Sequence, residues 1–343
     1  MTLLFDLNHP AHVHYFRNCI SRLSKEGHNV VVVSRNKEIE HELLKSFDIS
    51  FISRGRGADS FIGKVGYHIY AVSKLMNIIR RAKVDIVISF MHPYAAQAGW
   101  LTNTKSLVFS DTEIASLHHK LTIPFATEVH TPFTFTKELG RQHRRFPGFM
   151  ETAYLHFNHF EPKKTILNTL GVESEEPYIL FRFVSRKSLH DIGHSGVKTK
   201  QKIELVEELA KKHKVFISSE LELPKQLQKY SLEINKKDIH QIIYFAKLVI
   251  GESATMAAES ALLGTPVIYI DNEGRGYTDY LAEKYDIIHR VKESKKGLDL
   301  AILKAEEIMS GNVDYKLVRE KVLNESINTS DYIFEQINRM KEL

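Results

Sequence analysis

The sequence predicts an α/β protein built from two doubly wound, parallel-sheet domains of Rossmann type. Three observations predict it. Short β-branched or aromatic runs alternate with longer segments of helical period, the β-α-β-α order of a parallel sheet with helical crossovers. Val30 to Val33 is continuously apolar rather than alternating, as expected of a strand covered on both faces. The length, 343 residues, suits about two domains.

The first predicted strand is Leu3 to Leu7. Residues 11–26 follow as a helix, with Gly27 just past its end as a C-cap. Further strands are predicted at Val30 to Val33, Ile49 to Ile52, Val84 to Ile88 and Ser106 to Phe109. Between Pro147 and Pro177 the strand signals fade, and Pro147-Gly148, Pro162 and Pro177 punctuate the stretch, which marks an interdomain connection. The boundary is placed there, with residues 1–157 as an N-terminal Rossmann-like domain and 158–343 as a C-terminal one carrying the closing helices. In the second half, Tyr178 to Phe183, Val215 to Ile217, Leu248 to Ile250 and Pro266 to Ile270 read as strands. Residues 198–213, 238–246, 255–263, 296–310 and 314–341 read as helices. Two such domains are expected to face a central cleft, with ligands gathered at the carboxyl ends of the strands.

Composition narrows the function classes. Lys and Arg number 47 against 42 Asp and Glu, a net +5, which is too small an excess to indicate a nucleic-acid partner. A single cysteine, Cys19, excludes an internal disulfide framework and a Cys-rich zinc site. No apolar run approaches the eighteen or so residues of a membrane span, and the start lacks the basic n-region of a signal peptide. The expectation is a cytoplasmic protein. Charge is nonetheless uneven: residues 54–83 carry seven basic side chains and one acid, interleaved with Phe61, Ile62, Val65, Tyr67 and Ile69. That segment is either a solvated face or a peripheral contact with an anionic membrane surface at its inner side.

Two stretches carry the chemistry. The first βα turn reads Asp6-Leu-Asn8-His9-Pro10-Ala11-His12-Val-His14. It sits where this fold places ligands, and a helix start offers unpaired N–H groups. His12 is the candidate base for a hydroxyl; Asn8 and His9 flank it, and packing around the turn is the structural alternative, preferred for His14. A metal fits these histidines less well, because no carboxylate or cysteine cluster accompanies them in sequence. The second stretch runs Gly251-Glu252-Ser253-Ala254-Thr255, then Glu259, then Gly264-Thr-Pro266. Small residues at the helix start let backbone N–H groups meet a phosphate, and Glu259 lies one turn beyond Thr255, placed for the two hydroxyls of a ribose. An Ala-rich helix with one Glu is the plain alternative. Other polar groups fall at predicted strand ends: Asp111 and Glu113, His92, Arg182 with Ser185, and the loop containing Gly274. For Asp111 and Glu113 the alternative is a helix N-cap with acids in its first turn.

As a set, several of these segments resemble the family called domain of unknown function 354. They are Asn8 to Phe16, Gly27 to Arg35, Asp85 to Ser89, Pro147 to Leu155, Thr255 to Pro266 and Asp279 to Lys284. The resemblance implies the GT-B architecture, whose superfamily includes metal-independent glycosyltransferases and UDP-N-acetylglucosamine 2-epimerases. Ala11-His12-Val is similar to the Gly-His-Val turn of the N-acetylglucosaminyltransferases that make lipid II, and Glu259 looks like their ribose-binding glutamate. Glu252-Ser253-Ala254 and Pro10-Ala11 stand where glycines are usual, which narrows the room for a diphosphate.

The resulting expectation is an inverting glycosyltransferase that moves a sugar from a nucleotide-sugar donor to a glycan or lipid-linked acceptor in cell-surface polysaccharide synthesis. His12, with Asp111 and Glu113, would do the proton chemistry. Ser253, Ala254, Thr255, Glu259, Arg182, Ser185 and Gly274 would hold the donor; Asn8, His9, His92 and Glu151 would line the acceptor side. No metal or cofactor beyond the nucleotide-sugar substrate is expected. A nucleotide-sugar 2-epimerase or hydrolase using Asp111, Glu113 and Glu151, and a non-catalytic nucleotide-sugar-binding protein, are the alternatives.

Overall fold

In the computed structural model the strands gather into two sheets in which every pairing is parallel. The structure describes residues 1–342 apart from 37, 59, 174–175, 184–196, 198 and 220–221. The chain divides into two compact units. Unit 1 is Met1–His159 with Ser326–Leu343, and unit 2 is Phe160–Glu325.

Unit 1 runs β1 (Thr2–Leu7), α1 (Pro10–Lys25), β2 (Asn29–Ser34), α2 (Glu38–Ser46), β3 (Ile52–Ser53), α3 (Phe61–Ala82), β4 (Ile86–Phe90) and α4 (Pro93–Leu101). It continues through β5 (Lys105–Phe109), α5 (Ser116–Thr122), β6 (Glu128–Pro132), β7 (His143–Phe146) and α6 (Thr152–Leu155). The sheet order is β3-β2-β1-β4-β5-β6-β7, so the winding reverses between β1 and β4. Leu4, Val33, Val87, Leu75 and Ile79 join α3 to one sheet face. Phe16 of α1 packs against Phe5 and Phe109. Each such buried side chain contributes about 1.5–3 kcal/mol of transfer free energy. The first helix starts as its residue types dictate: Pro10 occupies the first turn, and the His9 ring caps it by accepting from the Ala11 N–H at 3.2 Å.

Unit 2 runs α7 (Thr165–Leu170), β8 (Tyr178–Phe183), α8 (Thr199–Ala210), β9 (Lys214–Ser219), α9 (Ile239–Phe245), β10 (Leu248–Gly251), α10 (Ala254–Leu262) and β11 (Val267–Ile270). It closes with α11 (Gly276–Tyr285), β12 (Ile288–Val291), α12 (Lys295–Ser310) and α13 (Lys316–Asn324). The order β12-β11-β10-β8-β9 again reverses beside the first strand. Gly251 is fixed by close approach, since a Cβ there would lie 2.7 Å from the Arg182 carbonyl oxygen.

The structure differs from the expectation in three respects. Strands β6, β7 and β12 carry Glu128, His130, Arg144, Arg145 and Arg290, so their sequences lack the apolar run of a central strand. The third strand begins at Ile52 instead of Ile49. The single helix expected over 314–341 is two, α13 and α14 (Thr329–Glu342), and α14 lies in unit 1 rather than with the second domain. The return is made at the break: the Ile327 N–H donates to the Pro147 carbonyl at 3.0 Å, and the Thr329 hydroxyl donates to the Phe149 carbonyl at 2.7 Å. Further along α14, Arg22 pairs with Asp331 at 3.0 Å and Arg339 with Glu128.

Candidate functional site

In unit 1 the parallel strands all present their carboxyl ends on one edge, and the polar groups that follow them collect there. After β1, the Asn8 N–H donates to His12 Nδ1 at 3.2 Å. That bond uses the Nδ1 lone pair, so the neutral imidazole carries its proton on Nε2. Asn8 is held in turn by Asp6, whose Oδ2 accepts from Asn8 Nδ2 at 3.2 Å, and by Arg54, which donates to Asn8 Oδ1. Arg54 is completely buried and pairs with Asp6 Oδ1 at 3.2 Å. Burial raises the Asp6 carboxyl above its ordinary range, against the opposing pull of Arg54.

Beside this turn lies a group of acids. Tyr15, one turn along α1 from His12, donates through its hydroxyl to Asp111 Oδ2 at 3.2 Å and to Glu151 Oε1 at 3.5 Å. Asp111 follows β5 and Glu151 precedes α6; both are buried. Burial pushes the Asp111 carboxyl up to about 6, opposed by its hydrogen bonds from Thr112 and Tyr15 and reinforced by the negative charge of Glu113. Glu113 itself turns toward the segment after β6, accepting the Thr136 N–H at 3.3 Å. The stretch is not a helix cap: α5 begins at Ser116, with Ala115 before it.

His92 takes the N-cap position of α4 without a side-chain capping bond. Its ring stacks on Tyr94 at 5.1 Å and meets His118 at 4.9 Å. Burial first, then the charges of His118, Arg54, His12 and Arg35, hold its pKa far below the ordinary value, so it is neutral. Asn8, His9, His12, His92, Asp111, Glu113 and Glu151 therefore share one sheet edge. Sequence reasoning missed Tyr15, Arg35, Arg54 and Tyr67, which belong to the same surroundings, as does Tyr94 beside His92. Their signal was weak, since Arg54 counted only as surface charge and Tyr67 as apolar filling.

Unit 2 holds the other group. Ser253 caps α10, its Oγ accepting the Met256 N–H at 3.2 Å. Glu252 turns away from that helix start: its carboxylate takes the Lys202 ammonium at 2.6 Å and the Val197 N–H at 3.0 Å. Ala254 and Thr255 are half-buried at the helix start, and Glu259, buried on α10, is bound at Oε1 by His240 Nε2 of α9 at 2.9 Å. Arg182, at the end of β8, donates to Ser218 Oγ at 2.9 Å. Gly274 has a steric reason: a Cβ there would collide with the Asp279–Arg290 ion pair, which spans 2.9 Å. Ser185 lies outside the described residues. Among the described residues no group of three or more His, Cys, Asp or Glu side chains is placed to hold a metal ion.

The basic segment does not form one patch. Arg54 is buried, and Lys74 donates to the Ser53 carbonyl at 2.8 Å. Ile62, Val65 and Ile69 form an exposed apolar stripe on the first half of α3, with Ile62 83% and Ile69 64% exposed. Arg80, Arg81 and Lys83 lie at its far end, with Arg80 about 17 Å beyond Ile69 and about 27 Å from Ile62 at 1.5 Å per residue. No helix among the described residues is long and apolar enough to cross a membrane.

The family model described as "Protein of unknown function (DUF354)" matches residues 1–326. The chain belongs to this family. A curated relative, the uncharacterized protein MJ0665 of Methanocaldococcus jannaschii, is 26% identical over 298 residues, 83% of this chain and 86% of its own. Among solved structures, the UDP-GlcNAc 2-epimerase of Neisseria meningitidis bound to UDP-GlcNAc is 13% identical, with a TM-score of 0.73 over 99% of this chain and 100% of that one. MurG of Acinetobacter baumannii is 12% identical, with a TM-score of 0.62 over 99% and 100%. The family member described here therefore has the GT-B fold, in common with glycosyltransferases and UDP-GlcNAc 2-epimerases.

Proposed function

We propose that this DUF354 protein is a glycosyltransferase that takes a sugar from a nucleotide-sugar donor, with Asp111 rather than His12 as the base. The observation that carries the reading is the buried Asp111 carboxylate, raised to about 6 and held by Tyr15 beside the first βα turn. A carboxylate with that affinity for a proton is ionised at neutral pH and still basic enough to take one. In the step proposed, the acceptor hydroxyl gives its proton to Asp111 as its oxygen bonds to the sugar C1. The C1–O bond to the diphosphate breaks, and the electron pair leaves with the diphosphate. His12, with its proton on Nε2, serves as a hydrogen-bond donor to the acceptor.

In unit 2 the reading gives the donor nucleotide to α10. The N-terminal N–H groups of that helix take the charge of the leaving diphosphate, which needs no metal ion. Glu259, oriented by His240, accepts the ribose hydroxyls. Peripheral membrane contact belongs to this proposal only through the apolar stripe of α3.

A second reading has its own observation. Glu113 and Glu151 stand close to Asp111, two more acids than a single proton transfer needs, and they suit a 2-epimerase that removes and returns the proton at C2. Incubating the protein with UDP-GlcNAc in D2O, with and without acceptor sugars, separates the two. Transfer that requires an acceptor and leaves C2 undeuterated fits the proposal. Deuterium at C2 without acceptor replaces it with the epimerase, and no reaction and no nucleotide binding across UDP, GDP, CMP and dTDP sugars removes both.

A further inference from the structure

Beyond the acid group, the same sheet edge of unit 1 holds donors with no acceptor. Arg35 Nε, Arg54 Nε and Nη1, the Tyr67 hydroxyl and His92 Nδ1 are all buried atoms without a hydrogen-bonding partner among the described residues. They are neighbours. The Arg54 guanidinium lies 4.7 Å from the Tyr94 ring and 5.8 Å from the Tyr67 ring, and Arg35 lies 6.0 Å from Tyr67 on its own side. Tyr67 meets Tyr94 edge-on at 5.9 Å, and Tyr94 stacks on His92. Gly57 leaves room for this arrangement, since a Cβ there would collide with the Arg35 guanidinium.

Buried polar atoms in folded proteins almost always find partners, and leaving a charged donor unmatched is costly. Two guanidiniums flanking one phenol repel each other, and Asp6 compensates only Arg54. Every orphaned group on the two arginines is an obligate donor, and the tyrosine hydroxyl donates readily. The missing partner is therefore an oxyanion. A carboxylate has about four acceptor positions; Arg35 Nε, Arg54 Nε and Nη1 and the Tyr67 hydroxyl bring five unmatched N–H and O–H protons from strand ends β2 and β3 and helix α3, with His92 Nδ1 beside them, and these suit the three terminal oxygens of a phosphoryl group better.

We propose that Arg35, Arg54, Tyr67 and His92 bind a phosphoryl group carried by the acceptor, so that the substrate of unit 1 is a phosphorylated or diphosphorylated sugar carrier. Half-buried Arg35, Tyr67 and His92 contact the anion, and buried Arg54 offers it Nε and Nη1 while its Nη2 holds Asn8 and Asp6. This rests on the glycosyltransferase reading for the word acceptor, but the anion site stands on its own geometry.

The test is calorimetric titration of the whole chain with inorganic pyrophosphate at pH 7.5 and low salt. Saturable binding is expected, weakened at least tenfold in Arg35→Gln and several-fold in Tyr67→Phe, with Arg35→Lys in between. Neither residue is part of the buried ion pair, so both variants are expected to keep the wild-type circular dichroism, whereas Arg54→Gln risks the fold and is not relied on. No binding, or affinities within twofold of wild type in both variants, overturns the site. UDP binding is measured in the same proteins and is expected to be unchanged. UDP binding without a pyrophosphate site removes this inference and leaves the proposed function standing; the converse removes the donor reading and leaves the anion site. A hexose 1-phosphate and a short isoprenyl diphosphate then identify the carrier, and the one that binds tenfold more tightly than pyrophosphate names a soluble or a lipid-linked acceptor. If neither does so, the acceptor assignment is overturned.

Discussion

The pH dependence of the reaction is the sharpest consequence of the Asp111 environment. With its carboxyl at about 6 instead of the ordinary 3.8, the base is about 90% ionised at pH 7 and about 10% ionised at pH 5. The kcat/KM for transfer should then fall about tenfold between those pH values, whereas an ordinary aspartate would leave it almost flat. Asp111→Asn should lose about 10²–10⁴ of the rate at pH 7. Stability must move the other way. The folded state holds this proton more tightly than the unfolded chain, so the contribution is full below about 3.8 and is lost as pH rises through about 6. A rise from 3.8 to about 6 corresponds to about 3 kcal/mol. Asp111→Asn, which cannot ionise, should therefore be as stable as wild type at pH 4 and up to about 3 kcal/mol more stable at pH 7. The assay is nucleotide release at low substrate concentrations from pH 5 to 8, paired with denaturant unfolding of both proteins. A flat rate profile, or an Asn variant less stable than wild type at pH 7, refutes the assignment of Asp111 as a base of raised proton affinity.

Other outcomes follow from the same geometry. Glu113→Gln removes a negative neighbour and should shift the acid limb of the profile to lower pH, while Tyr15→Phe removes a stabilising hydrogen bond and should shift it higher; limbs that coincide with wild type would contradict the coupling. Gly264→Ala forces a Cβ onto a backbone with φ +68° and within 2.7 Å of the Tyr315 carbonyl, which should cost about 1–3 kcal/mol in denaturant unfolding. Transfer should proceed unchanged in EDTA, and a requirement for added divalent metal would overturn the role given to the α10 N-terminus. Flotation with anionic vesicles should be abolished by Ile69→Glu and weakened little by Arg80→Gln with Arg81→Gln; the reverse pattern would restore the cationic reading of this helix.

Much of the architecture was legible because it rests on local pattern. The Val30 to Val33 run, the Ser253 cap and the Gly264 turn each state their conformation within a few residues. The strands that were not legible are those whose residues answer to distant partners. Glu128 and His130 of β6 are polar because His130 binds Glu128 at 3.0 Å and Tyr332 of α14 at 2.6 Å, and a strand pattern cannot announce a partner two hundred positions away. The break before α14 was hidden for the same reason. It contains no glycine or proline, and its cap, Asn328 Oδ1 accepting the Ser330 N–H at 3.1 Å, resembles an ordinary polar stretch of helix. The site was legible in residue type but not in role. The sequence singles out the His12 turn, yet only the Asn8 N–H at its Nδ1 decides that its proton sits on Nε2. The Asp111 carboxyl is raised by burial, which no spacing encodes.

The basic segment carries this reasoning furthest. Counted along the chain, residues 54–83 sum to +6 and suggest one electrostatic surface. Folding divides that sum by burial and distance. Arg54 leaves solvent altogether, where its Coulomb interactions are screened far less than at the surface, and joins Arg35 in a donor set with no acceptor. Arg80, Arg81 and Lys83 stay in water at the end of α3, where ions within about 8 Å screen them and a single charge is worth little. The exposed apolar stripe at the other end would gain free energy only by burial, a term that ionic screening does not touch. The same residue type is thus buried at one end of the segment and solvated at the other. Raising salt should weaken pyrophosphate binding by unit 1 far less than it weakens any attraction of the Arg80–Lys83 end to an anionic surface.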